Sequence, residues 1–245
     1  MNAPTFYHMY PFRLGYREFI RVAYPHQLLA AVIWPLAKIG IVRWQPTVLP
    51  RYPSITDSTI PVDQCPEFAK NDISAAIESG QEQGFVDPMI EHMTSVAGNQ
   101  MNISGVGVFM RHQSGKYMMS FASSRADDGA SAKKVSIITW LANDRLVVTT
   151  NGRREFDPSP YAKGTYMTGK SFLEIFAAHQ QSFDAQGWTF EPIDSKSALI
   201  DACDRVIGLY FDHMTKVRGV MELAPEEVSR GISKELNPYQ SPASI

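Results

Sequence analysis

Apolar and polar side chains alternate with a period of two through much of the stretch 102–156, and turn dipeptides interrupt the alternation. The pattern predicts four consecutive strands near 103–111, 117–124, 134–141 and 145–150. Ser114-Gly115 and Asp128-Gly129 supply the positive-φ positions of tight hairpins, and Asn143-Asp144 can do so less comfortably. Links this short favour antiparallel neighbours, because a parallel return needs about a dozen residues.

Helical spacing appears on either side of the strands. Pro66 and Glu67 suit a helix start, and Phe68, Ala69, Ile73, Ala76 and Ile77 follow with one apolar stripe. Ser171 and Glu174 form a capping-box pair, Phe172, Ile175, Phe176, His179 and Phe183 share a face, and Gly187 supplies the stop. A third helix near 198–217 carries Leu199, Cys203, Val206, Tyr210 and Val217 on one side, widened by Ile200, Ile207, Phe211 and Met214. The stretch 87–93 reads as one or two helical turns, and 188–190 as a short edge strand.

These elements predict an α+β domain over 61–223, an antiparallel meander of four strands (five with 188–190) packed against three helices, mostly on one face. Prolines at 4, 11, 25, 35, 46, 50 and 53 cut residues 1–60 into short pieces, which predicts an arm that docks on the body. Residues 224–245 read as a flexible tail.

The arm is basic. Six Lys and Arg face two acidic residues in positions 1–60, a balance of +4 that leaves −6 for the remainder of a chain whose total is −2. The apolar segment 28–37 contains Pro35 and ends at Lys38, short of the roughly 18 to 20 apolar residues that a membrane span needs. Trp34, Lys38, Arg43 and Trp44 are therefore candidates for docking on the protein's own body or, less favoured, for dipping into a lipid interface. The start shows no secretory signal pattern, and two cysteines build no disulfide framework, so a cytoplasmic location is expected, with peripheral membrane contact as the variant.

The 44% hydrophobic and 20% charged shares are ordinary for a globular chain. The net charge excludes a nucleic-acid footprint over the whole chain, and the basic residues of the sheet lack the aromatic strand signature of an RNA-binding fold. Gly105-Val106-Gly107 lies mid-strand without a following helix, so it is no dinucleotide loop. Glycines there mark a bulge or the close approach of another element. No metal-ligand spacing and no cofactor motif is present.

Two residues are candidates for catalysis. Cys65, beside a helix start, has the position of an activated thiol, with His92 or His112 as possible bases. His179 lies on an apolar helix face, where a hydrogen-bonded core histidine is the commoner outcome. Six of eleven methionines fall between 89 and 119, and Met110, Met118 and Met119 are candidates for an adaptable ligand or partner surface. Met118 and Met119, adjacent in a strand, must face opposite sides of the sheet.

The run from Trp140 to Gly152, with Ala178-His179 downstream, resembles segments of bacterial proteins, a resemblance that assigns no role to any residue. The expected function is a binding or interaction module with a Met-rich apolar surface, whose partner is a protein or an apolar small molecule. The alternatives are a Cys- or His-dependent hydrolase or transferase, and a peripheral membrane protein acting through the arm.

Overall fold

The computed structural model describes residues 4–9, 13–22, 26–41, 47–96, 102–152 and 161–224. Arg43, Trp44 and residues 225–245, the expected tail, lie outside the described residues. The elements in chain order are β1 (Thr5–Met9), α1 (Tyr16–Val22), α2 (Gln27–Lys38), β2 (Thr47–Arg51), α3 (Glu67–Glu82), β3 (Phe85–Val96), β4 (Asn102–His112), β5 (Met118–Ala126), β6 (Ser131–Leu141), β7 (Arg145–Thr150), β8 (Ala162–Tyr166), α4 (Phe172–Gln186), α5 (Lys196–Lys216) and β9 (Val220–Glu222).

The strands order as β8-β7-β6-β5-β4-β3-β2-β1-β9. A mixed six-stranded part (β8 to β3) meets a three-stranded part (β2-β1-β9) through one bridge, Val48 to Val96. The chain is thus α+β with antiparallel strands, but it is not a four-stranded meander against three helices. The four central strands β4 to β7 pair antiparallel in sequence order, and further strands extend both edges.

Each extension has a physical cause. The stretch expected to be helical, 87–93, belongs to β3 and pairs with β4 from Phe85↔His112 to Val96↔Asn102. A bulge between Val86 and Met89 accommodates Pro88, with Asp87 at φ 56° and its carboxylate held by the Arg111 Nε–H at 2.6 Å. Proline at a bulge leaves no ladder donor missing. Because Met89 faces one core cluster and Ile90 the other, the strand is apolar on both sides and shows no clean alternation. At the far edge β8 runs parallel to β7, since the residues between Thr150 and Ala162 are long enough for a parallel return. The segment 188–190 supplies only a bridge, Phe190 to Leu141.

The helices divide between the two faces, correcting the expectation of one covered side. Helices α3 and α4 pack on Ile90, Val106, Val108, Met110, Met119, Val135 and Ile137. Gly80 brings α3 close: a Cβ there would stand 3.1 Å from both Met110 Sδ and Met119 Cε. Helix α5 covers the opposite face through Leu199, Ala202 and Cys203, against Met89, Met118, Ile138 and Trp140. Ser195 caps its start by accepting the Ala198 N–H. Beyond the sheet, the far end of α5 meets N-terminal residues, Phe211 and Met214 clustering with Tyr7, Leu14, Phe19 and Ala30.

Candidate functional site

The α5 side of the sheet is incompletely filled. A cavity of about 620 Å³ lies between the sheet, α5 and the segment 49–55. Register explains why. One cross-strand row runs Glu91, Gly107, Ala122, Lys134, and the next runs Met93, Gly105, Ser124. Side chains at alternate positions share a face, so this face of β4 and β5 presents glycine, alanine and serine where α5 would otherwise meet large apolar residues. Phe109, Met118, Ile138 and Val148 close the inner end, and Val206, Ile207 and Tyr210 of α5 form the roof. Ala122, Lys134 and Met93 are exposed, which places the mouth at that edge.

Gly105 and Gly107 were expected to admit a bulge or a close neighbour; here they do neither. A Cβ at Gly105 would meet only the Met93 carbonyl oxygen at 3.7 Å, and one at Gly107 would have its nearest neighbour, on the Phe109 ring, at 3.5 Å. Gly105 lines the cavity, and the Phe109 ring lies over Gly107.

One carboxyl group is buried in the wall. Glu91 is 5% exposed, and its Oε1 accepts the Ser58 hydroxyl at 2.9 Å. Burial, opposed by that hydrogen bond and reinforced by Asp204, raises its carboxyl to about 7. Among the described residues only Ser58 donates to it, so Oε2 has its acceptor capacity free. Asp204 is itself engaged, accepting the Ile55 N–H at 2.6 Å and tying the segment 52–58 to α5. Tyr52 and Tyr210 line the same cavity with their phenols held neutral, Tyr210 pushed up to about 12 by burial and Tyr52 raised by burial, Glu91 and Asp57. A second depression of about 360 Å³, near Thr56, Pro61 and Lys196, has no buried ionisable side chain in its lining.

The residues singled out from the sequence fall elsewhere, with one exception. Cys65 is 6% exposed, and its backbone N–H donates to Val62 at the end of a 3-10 turn. Burial raises its thiol, with Lys70 opposing, so desolvation outweighs the helix start and the thiol form is favoured. Among the described residues its sulfur has no hydrogen bond to a histidine. His179 is fully buried, with Nε2 and Nδ1 each 2.9 Å from a hydroxyl, those of Thr139 and Thr149. Burial lowers it to about 4.

His112 and His179 both pack against Tyr117, yet inside an aromatic cluster with Phe176, and the cavity lining contains neither. His112 is bound to Ser114 and His92 to Ser104. No two of Cys65, His92, His112 and His179 converge on the cavity. Among the described residues no group of three or more His, Cys, Asp or Glu side chains is placed to hold a metal ion.

The three methionine candidates are buried. Met110 and Met119 are sealed beneath α3, while Met118, facing the other way as adjacency in a strand requires, lines the cavity and accepts the Cys203 thiol at 3.7 Å. Of the arm candidates, Trp34 is half-buried and donates its indole N–H to the Leu14 carbonyl at 3.0 Å, and Lys38 sits 5.1 Å above the Trp34 ring.

Sequence reasoning passed over Glu91 and the small-residue floor. The available signal was Gly105 and Gly107 two apart in one predicted strand, with Ser120, Ala122 and Ser124 similarly spaced in the next. Turning that into a cavity requires the register. No protein-family model, no curated protein and no solved structure matches the chain.

Proposed function

We propose that this protein is a binding module for an apolar small molecule, held between the sheet and α5. The observation that carries the reading is the cavity of about 620 Å³, with its small-residue floor and apolar inner end. That size suits a small organic ligand, for which sites of roughly 300–1,000 Å³ lined by apolar groups and a few polar ones are usual. Among the described residues the candidates for the hydrolase and transferase alternatives, Cys65, His92, His112 and His179, stand outside the cavity lining.

The test fills the floor. Gly105→Leu projects a side chain into the cavity where its Cβ has only ordinary contact with backbone. The neutral apolar dye N-phenyl-1-naphthylamine is titrated into both proteins and followed by fluorescence. Saturable binding to wild type that weakens by about tenfold or more in Gly105→Leu, with unfolding unchanged, is expected. Equal dye binding by the two proteins would overturn the reading.

A second reading rests on α2. It buries Ala30 but leaves Leu28 (89%), Leu29 and Val32 exposed, carries no acidic residue and ends in Lys38. No helix among the described residues is long and apolar enough to cross a membrane. Such a ridge fits shallow contact with an anionic lipid surface. Sedimentation with phosphatidylglycerol vesicles at low salt, lost in Leu28→Glu/Val32→Glu, is the expected result. Absence of wild-type protein from the pellet removes this reading.

A further inference from the structure

We infer that the ligand of this cavity is a cationic amphiphile, an alkylamine-type molecule whose ammonium head sits against Glu91 and whose tail lies over Phe109, Met118 and Ile138. The inference rests on the binding reading above and names the ligand's chemistry.

Glu91 is nineteen-twentieths buried, lines the cavity, and has Oε2 free of protein donors among the described residues. A buried carboxyl without a cationic partner is costly, and a ligand that brings the cation supplies what the fold leaves out. The groups facing Glu91 make the local field negative or neutral. Asp204 and Cys203 approach from α5, Tyr52 and Ser58 from the segment before α3, and Gly107 from β4.

The cations of the lining are placed differently. Arg51 pairs with Asp212 at 3.9 Å and lies 5.3 Å from the centre of the Phe211 ring. Lys134 stands three strands away in the same row, about 14 Å at about 4.8 Å per strand. The cavity is therefore polarised, acidic at β3 and basic at the β6 edge. An ammonium is drawn to the first end and repelled from the second. A carboxylate-headed chain would have to place its charge beside Glu91 and Asp204 or leave its head at the exposed Lys134. Burial also holds the Glu91 proton to higher pH than usual, so an ammonium must compete with that proton and gains as pH rises.

The experiment is displacement of N-phenyl-1-naphthylamine by dodecylamine, 1-dodecanol and dodecanoate, each below its aggregation concentration, using the full chain and Glu91→Gln. In wild type at about pH 8, dodecylamine is expected to displace dye about tenfold or more better than dodecanol, as a charge-assisted hydrogen bond in a buried site provides. In Glu91→Gln that advantage falls to about twofold, and a cooperative urea unfolding transition shows that the variant is folded.

Wild type provides the independent arm if the variant does not fold. The amine advantage shrinks from about pH 8 to about pH 6 as Glu91 takes up its proton, because an alkylammonium stays charged throughout. Equal displacement by amine and alcohol, a preference for dodecanoate, or an amine preference that survives Glu91→Gln overturns the inference and leaves the cavity reading standing. No displacement by any of the three overturns both.

Discussion

Replacing Glu91 by glutamine should change how stability depends on pH. Glu91 is 5% exposed and its carboxyl is raised from an ordinary 4.5 to about 7, chiefly by burial. Below 4.5 it is protonated in both the folded and unfolded chain, and its stabilising contribution is fully present. Between 4.5 and about 7 the unfolded chain gives up the proton while the folded chain keeps it, so stability falls as pH rises. Above about 7 the group is ionised in both states and the loss is complete. At about 1.36 kcal/mol per pH unit, the interval corresponds to about 3 kcal/mol.

Glutamine keeps the shape and can still accept from Ser58, but it cannot ionise. The stability of Glu91→Gln minus that of wild type should therefore increase by about 3 kcal/mol between about pH 4.5 and pH 8. Wild type alone would conceal part of this effect. His179, lowered to about 4 by burial, works in the opposite direction. As pH drops from 6.5 towards 4 the unfolded chain takes up that proton and the folded chain does not, so stability falls with acidification. The two contributions offset each other between 4.5 and 6.5, and only the difference between variant and wild type isolates Glu91. Urea unfolding followed by tryptophan fluorescence across this range measures it. Stability profiles that run parallel within about 0.5 kcal/mol would refute the reasoning.

Further expectations follow from the rest of the core. His179→Leu strands the buried hydroxyls of Thr139 and Thr149, so urea unfolding at neutral pH should show a loss of about 2–4 kcal/mol, and the acid limb between 6.5 and about 4 should flatten. Cys65 and Cys203 are both buried with raised thiols, so Ellman's reagent should label neither in the native protein and both in urea; rapid labelling of native Cys65 would restore it as a nucleophile. Ser171→Ala removes the acceptor that satisfies the Glu174 N–H, and should lower stability by about 1 kcal/mol in thermal melts, with Ser171→Asp recovering most of it.

Local signals in the sequence determined the elements they act on. Hairpin dipeptides and period-two alternation were sufficient for β4 to β7, because a turn of three to five residues leaves its strands little choice but to pair with each other. The Ser171 and Glu174 box and Gly187 set α4 at both ends for the same reason, since a cap is a contact within one turn. The stripe of α5 was legible too, but a helix with one apolar side fits either face of a sheet. Its place opposite α3 and α4 was decided by which side of the strands they had left uncovered. Strand β3 was hidden because both of its faces are buried, and β1, β2 and β9 because their partners lie far away in the chain.

The site belongs almost wholly to the tertiary level. Gly107, Ala122 and Lys134 fall in one row with Glu91 only through the register of four strands, and a one-residue slip would turn the small side chains to the opposite face. An acidic residue in a strand carries no mark of burial in the sequence. Its raised carboxyl arises from the water that α5 and the segment 52–58 exclude together, and neither element lies within thirty residues of Glu91 on both sides of the chain.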